Sequence, residues 1–258
     1  MAGVSGAALV FGGASGIGRA CADALCAAGW PTVVADLRPA EGDGALGVDV
    51  RDRDAVGNAA DRVADAHGGI GAVIYAAGTA RVTPLLDIDA REWELVIGVN
   101  LSGGFNAMQA CVPHMPRGAS FTLISSVDST APVAGLAHYS AAKAGAEALV
   151  RSGALELGPR GIRCNAVLPG VVRTPLMEPM LSRPGVAEAF VAQTPLGRLG
   201  EGADIAGVVA FLASPEARWI SGVSLPVDGG MSLREHPQLL DEREPELTTT
   251  ERSKGAMG

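Results

Sequence analysis

Aromatic residues make up only 4% of this 258-residue chain, so its interior must be built mainly from Ala, Val, Leu and Ile within a hydrophobic fraction of 48%. Basic residues are also short: the net charge is −8 and no clustered basic patch appears, which argues against a nucleic-acid surface. The four cysteines, Cys21, Cys26, Cys111 and Cys164, show no Cys-x-x-Cys spacing and are expected to be buried free thiols of a reducing cytoplasm. None of the four histidines stands at metal-ligand spacing, so no catalytic metal is expected. No apolar run approaches the ~18 to 20 residues of a membrane span. The N-terminus enters an apolar strand without a basic segment and cleavage site. A soluble cytoplasmic protein with no membrane partner is the expectation.

Glycine is plentiful, with 35 residues, and its placement is informative. The apolar run Ala7 to Phe11 leads into Gly12-Gly13-Ala14-Ser15-Gly16-Ile17-Gly18 and then a helix from Arg19 to Ala28. Strand, glycine turn and helix are the arrangement in which backbone amides and a helix N-terminus hold a pyrophosphate. The spacing differs from the common Gly-x-Gly-x-x-Gly fingerprint. A second strand, Thr32 to Asp36, ends in a carboxylate beside Leu37. An acid there accepts both hydroxyls of an adenosine ribose and repels a 2′-phosphate, favouring NAD over NADP, although Arg38 softens the preference.

Strand and helix patterns then alternate. Residues Leu37 to Gly44 are too short and too rich in Pro and Gly for a full helix. A third strand near Ala45 to Val48 leads to Asp49 and Val50, placed to meet an adenine ring. Asp52 caps a helix running to His67. Ala72 to Tyr75 is a fourth strand, closed by Ala76-Ala77-Gly78. Arg91 to Pro113 is helical and carries Asn100, Ser120 to Ser125 is a fifth strand delivering Ser126, and Arg163 to Leu168 is a sixth. A looser stretch from Pro175 to Gly200 is either a mobile lid over an apolar substrate or a surface helix. Asp204 to Ala213 is helical and Ser224 to Val227 is the last strand. This alternation predicts an α/β, Rossmann-like, doubly wound single domain over residues 1–230, with a mainly parallel seven-stranded sheet and helices on both faces. Residues 231–258 form a polar tail expected to be partly disordered.

The helix from Ala137 to Leu157 contains Tyr139-Ser140-Ala141-Ala142-Lys143, which puts Tyr139 and Lys143 one above the other on one face. A phenol loses its proton near pH ~10, and an adjacent ammonium pulls that value down, at roughly 1.4 kcal/mol per pH unit. With Ser126 opposite to hold a substrate oxygen, the pair suits alcohol oxidation or carbonyl reduction.

Taken in order, Gly12 to Gly18, Ala76-Ala77-Gly78, Asn100, Ile124-Ser125-Ser126, Tyr139 to Lys143, Asn165 with Pro169-Gly170 and Thr174, and Asp228-Gly229-Gly230 resemble the short-chain dehydrogenase/reductase family, in its single-domain branch of roughly 250 residues. The resemblance spans Leu9 to Gly230. It implies a tetrad: Tyr139 as general acid/base, Ser126 on the substrate oxygen, Lys143 on the nicotinamide ribose and lowering the tyrosine pKa, and Asn100 anchoring a water that links Lys143 to solvent. It also implies that Pro169, Val172 and Thr174 hold the nicotinamide carboxamide, and that the chain forms a homo-oligomer, tetramer or dimer. Phe11 stands where the family usually has Thr, and Tyr75 where it often has Asn.

Asp128 is placed to line the substrate cleft, whereas His138 is expected at the surface or an interface. The reading is an NAD-dependent enzyme interconverting a secondary alcohol and a ketone. Its substrate is a mostly apolar small molecule such as a steroid, terpenoid or alicyclic alcohol. A 3-oxoacyl-thioester reductase is the alternative, disfavoured by Asp36 and the acidic balance. A non-catalytic dinucleotide-binding sensor or scaffold is more remote, since Ser126, Tyr139 and Lys143 are all retained.

Overall fold

The strand Ala7–Phe11 (β1) is buried along its whole length and lies in the middle of the sheet. It pairs in parallel with Thr32–Asp36 (β2) on one side and Ile70–Tyr75 (β4) on the other. A strand covered on both faces has no reason to alternate polar with apolar residues, which is why its sequence is an unbroken apolar run. The pleat still divides it: Ala7, Leu9 and Phe11 enter one apolar cluster, Ala8 and Val10 the other. The first cluster is closed by Arg53–His67 (α2), Gly103–Cys111 (α4) and Ala137–Leu157 (α5). The second is closed by Gly16–Ala27 (α1) and Gly202–Ala213 (α8). With Leu46–Gly47 (β3), Ser120–Ile124 (β5), Arg163–Pro169 (β6) and Ser224–Val227 (β7), the sheet has seven strands in the order β3-β2-β1-β4-β5-β6-β7, every pairing parallel. This computed structural model describes residues 5–39 and 44–233.

The Rossmann-like layering expected from the sequence is present, with differences that have local causes. β3 shrinks to two residues at the sheet edge. The helix at 53–67 begins where Asp52 accepts hydrogen bonds from Asp54 N and Ala55 N at 3.0 and 3.1 Å, and it ends at Gly68 with φ +71°. The single helix expected from Arg91 to Pro113 is interrupted. Ala90–Ile97 (α3) passes through a π-helical turn at Gly98–Ser102 before α4. Two side chains act at this turn: Asn100 Nδ2 donates to Val96 O at 2.9 Å, and the Tyr75 hydroxyl donates to Val99 O. From Ala90 to His114 the helical run is long and apolar enough to cross a membrane, which the sequence reading missed, yet half of that apolar window is buried against the rest of the protein, as in a core helix.

The stretch from Pro175 to Gly200 holds two short helices, Glu178–Leu181 (α6) and Val186–Gln193 (α7), with Leu181 buried. Cys21, Cys111 and Cys164 are buried free thiols as expected, but Cys26 is exposed, because it falls on the outer face of α1. Of the tail, Met231–Leu233 forms a 3-10 turn; the rest lies outside the described residues, as do residues 40–43.

Two glycines in helices make opposite demands. A Cβ on Gly18 would stand 2.1 Å from Gly12 O, a backbone atom that cannot give way without moving the loop, whereas one on Gly57 would meet nothing within 4 Å. Gly18→Ala is expected to lower stability by about 1–3 kcal/mol. Gly57→Ala is expected to raise it by about 0.5–1 kcal/mol. Urea unfolding of both variants checks the contrast; equal effects would contradict the close packing at Gly18.

Candidate active site

Three chain segments meet at the carboxyl edge of the sheet because glycine lets them. Gly12 has φ +76°, and a Cβ there would lie 2.5 Å from Ala77 N; Gly16 has φ +55°, and a Cβ there would lie 3.3 Å from Thr174 Cγ2. The loop after β1 therefore touches the Ala76-Ala77-Gly78 segment after β4 and the segment after β6. Ser15 is the N-cap residue of α1 but makes no side-chain capping bond, and no acidic residue occupies the first turn with Ile17. The helix N-terminus keeps its N–H donors and its positive end for an anion. A groove that would be filled by any Cβ and ends on free amides fits the pyrophosphate of a dinucleotide.

At the end of β2, Asp36 Oδ2 accepts from Ala14 N at 3.1 Å and Oδ1 accepts from Arg38 N at 3.0 Å. The carboxylate thus braces the glycine loop while keeping further lone pairs for ribose hydroxyls. Leu37 beside it is exposed. Asp49 faces Arg51, whose guanidinium approaches to 2.6 Å and holds the carboxyl below its ordinary range. Val50 is buried, and its carbonyl accepts from Asn106 Nδ2 at 3.0 Å. Pro169 closes β6, buried; Val172 is buried and bridges Gly200.

Ser126 leaves the end of β5, where its Oγ accepts from Asp128 N at 3.1 Å and stands near enough to the Tyr139 phenol to draw its pKa down. Lys143 Nζ lies 5.5 Å from the Tyr139 ring centroid and donates to Ile124 O at 2.8 Å. Asn100 is fully buried; its Nδ2 donates to Thr79 O at 2.7 Å as well as to Val96 O, and its Oδ1 has no partner. That oxygen is close to the amine, since a Cβ on Gly78 would lie 3.1 Å from Asn100 Oδ1 and 3.8 Å from Lys143 Nζ. The four residues of the expected tetrad therefore converge.

The electrostatics correct one expectation. Among this chain's own groups Tyr139 is not pulled below the ordinary phenol value but pushed up to about 12, first by burial, against a downward pull from the Ser126 hydroxyl and with a further push from Asp128. Lys143 does not offset this because it is buried too: desolvation brings the amine down to about 8, while Asp128 and Glu147 favour its charged form.

His138 is a second correction. It is fully buried, not at the surface, with Nε2 3.0 Å from Glu92 Oε1 and Nδ1 unpartnered. The first turn of α5 packs on α3, so the side chain next to Tyr139 points into that helix contact. Asp128 is half-buried beside the Ser126–Tyr139 pair, as expected of a cleft residue.

Two participants escaped the sequence reading. Glu147 is buried and accepts from Ser125 Oγ at 2.9 Å; continuing the four-residue step from Tyr139 through Lys143 reaches it. Tyr75 reaches across to the turn that carries Asn100, and no spacing rule points to that contact.

Lys143 and Lys254 are the only lysines in the chain, so the amine can be observed directly. With 13C-labelled lysine, one ε-carbon signal should titrate with a midpoint of about 8 and vanish in Lys143→Met. Both signals titrating near ~10.4 would contradict the buried amine. The sign for stability follows. The unfolded chain holds this proton up to ~10.4 and the folded chain releases it near 8, so wild type should gain stability over Lys143→Met as pH rises through that window, by on the order of 1–3 kcal/mol.

Residues 12–232 match the family described as enoyl-(acyl carrier protein) reductase. The chain is 34% identical over 243 residues to L-rhamnose 1-dehydrogenase (NAD(P)(+)) of Azotobacter vinelandii, covering 86% of this chain and 95% of that protein. It is 33% identical over 238 residues to the 3-oxoacyl-[acyl-carrier-protein] reductase FabG of Thermotoga maritima, covering 86% and 96%. The ligand-free structure of Thermoplasma acidophilum aldohexose dehydrogenase superposes with a TM-score of 0.86 at 30% identity, over 92% of this chain and 98% of that one. With the glycine loop, the tetrad positions and the seven-stranded parallel sheet in their places, this chain belongs to the short-chain dehydrogenase/reductase family and is an oxidoreductase acting on CH–OH groups with a nicotinamide dinucleotide.

Proposed function

We propose that the protein interconverts a secondary alcohol and a ketone with NAD as preferred cofactor. The observation that carries this reading is the juxtaposition of Ser126 and Tyr139, with Lys143 Nζ 5.5 Å from the centre of the phenol ring, at the edge where the glycine loop, Gly78 and Thr174 meet. A bound nicotinamide supplies or accepts the hydride. The chain's own residues handle the oxygen: Ser126 Oγ positions it and the Tyr139 hydroxyl exchanges its proton. A phenol pushed to about 12 stays protonated at neutral pH, which suits proton donation to the alkoxide formed when a ketone is reduced. In this reading Pro169, Val172 and Thr174 would hold the carboxamide, and Asp49 with Val50 would meet the adenine.

Asp36 supports NAD over NADP, because a carboxylate already accepting two amides repels a phosphate on the same ribose. Exposed Val82, Leu85, Leu86, Val133 and Leu176, in loops following β4, β5 and β6, support a substrate with an apolar body. The similarity to FabG favours a second reading, a 3-oxoacyl-thioester reductase. The exposed Ala141, Ala144 and Ala148 face of α5, with Phe105 of α4 exposed as well, supports a homo-oligomer, tetramer or dimer.

Tyr139→Phe should leave NAD-induced thermal stabilisation nearly intact while turnover of secondary alcohols, read at the nicotinamide absorbance, falls by about 10²–10⁴-fold; retained turnover would remove Tyr139 from its role. Asp36→Asn keeps an acceptor for the loop but removes the charge. It should lower the preference for NAD over NADP in paired binding titrations by roughly tenfold, a loss of about 1.4 kcal/mol of discrimination. An acetoacetyl thioester offered with NADH and NADPH separates the two substrate readings.

A further inference from the structure

The Asp128 carboxylate has no assignment in the proton-transfer machinery, yet it stands within electrostatic reach of both Tyr139 and Lys143. Its position is fixed: it lies in the 3-10 turn Val127–Ser129, and its backbone N–H donates to Ser126 Oγ at 3.1 Å. The side chain is half-buried, and its oxygens accept no hydrogen bond from any described residue. Burial accordingly pushes this carboxyl above its ordinary range, with Lys143 opposing.

An unpaired carboxylate beside a reaction centre constrains what enters the cleft. A wholly apolar substrate would strip the remaining water from it and give nothing back, leaving a buried anion without a donor. A substrate with a hydroxyl or ammonium group next to the reacting carbon would replace that water with a charge-assisted hydrogen bond. Building a site around a substrate donor gives strong rejection of the analogue that lacks it, because the protein's acceptor is then stranded.

We propose that Asp128 is a specificity-determining residue that accepts a hydrogen bond from a second polar group of the substrate, so that the preferred substrates are vicinal diols or vicinal amino alcohols, and the matching α-hydroxy or α-amino ketones, carried on an otherwise apolar body. This rests on the dehydrogenase reading above and narrows its substrate class. Asp128 serves as an acceptor only; the proton and hydride steps stay with Tyr139 and the nicotinamide.

The test measures kcat/KM with NAD for cyclohexanol, cis-1,2-cyclohexanediol and 2-aminocyclohexanol, in wild type, Asp128→Asn and Asp128→Val. Wild type should prefer the diol or the amino alcohol over cyclohexanol by about tenfold or more. Asp128→Val should bring the three substrates to parity; the ratios are compared within each variant, because losing this charge also shifts Tyr139 and Lys143 and changes the turnover of all three together. Asp128→Asn distinguishes the two donors. A neutral amide oxygen still accepts from a hydroxyl, so a diol preference survives in part, whereas an ammonium preference is lost. Equal kcat/KM across the three substrates in wild type, or a preference unchanged in Asp128→Val, would overturn the proposal and leave the dehydrogenase reading standing. If no alcohol is turned over, the dehydrogenase reading is what fails, and binding decides the Asp128 assignment. The diol added with NADH should then raise the melting temperature of wild type more than that of Asp128→Val, and equal stabilisation would overturn the assignment.

Discussion

A primary amine held out of water shapes this site more than any other group. Lys143 Nζ is buried at the junction of β5 and α5, with one carbonyl, Ile124 O, as its hydrogen-bond partner in the described structure. Removing an ammonium from water costs more than one neutral acceptor returns, so the surroundings must supply opposite charge. They do so from two directions: Glu147 one turn along α5 and Asp128 across the cleft. Ser125 hydroxyl fastens Glu147, Ser126 hydroxyl fastens the Asp128 backbone, and both serines leave the same strand end. Two adjacent residues just past the end of β5 thereby hold the two counter-charges of one amine, and the second of them adjoins the phenol.

The other constraint is steric. Tyr75 occupies a place where the family often has Asn, and its hydroxyl donates to Val99 O in the π-helical turn. The larger side chain fits because residue 103 has none: a Cβ on Gly103 would stand 2.2 Å from the Tyr75 hydroxyl oxygen. Phe11, the neighbouring departure, packs with its ring centroid 6.2 Å from that of Tyr75, so the two substitutions meet in one place. The aromatic pair fills this place, and the hydroxyl of its second member satisfies a carbonyl next to Asn100.

Much of this is legible in the sequence, and what is not has definite reasons. Every long strand and helix declares itself by an apolar run or helical spacing, and the glycine loop, Asp36, Ser126, Tyr139 and Lys143 stand at the strand ends and helix face where their order places them. The break in the 90–111 helix is not legible, because it depends on Asn100 and on Tyr75 arriving from another strand. His138 reads as a surface residue since local spacing says nothing of Glu92 on a helix distant in sequence. The direction of the tyrosine shift also escapes, because proximity of an amine is visible in spacing whereas desolvation of both partners is a property of the packed state. Cys26 shows the same limit in reverse: a residue type usually found inside lies on the outer face of its helix.

The loop at Gly12 to Gly18 draws its shape from segments far apart along the chain, the end of β4 through Ala77 and the stretch after β6 through Thr174. Such contacts have high sequence separation, and an all-parallel sheet offers no short hairpin to nucleate them. The dinucleotide cleft therefore cannot take its final shape until the segments after β4 and β6 have joined the sheet. During synthesis, the first strand and its glycine turn leave the ribosome long before the residues that give the turn its final form.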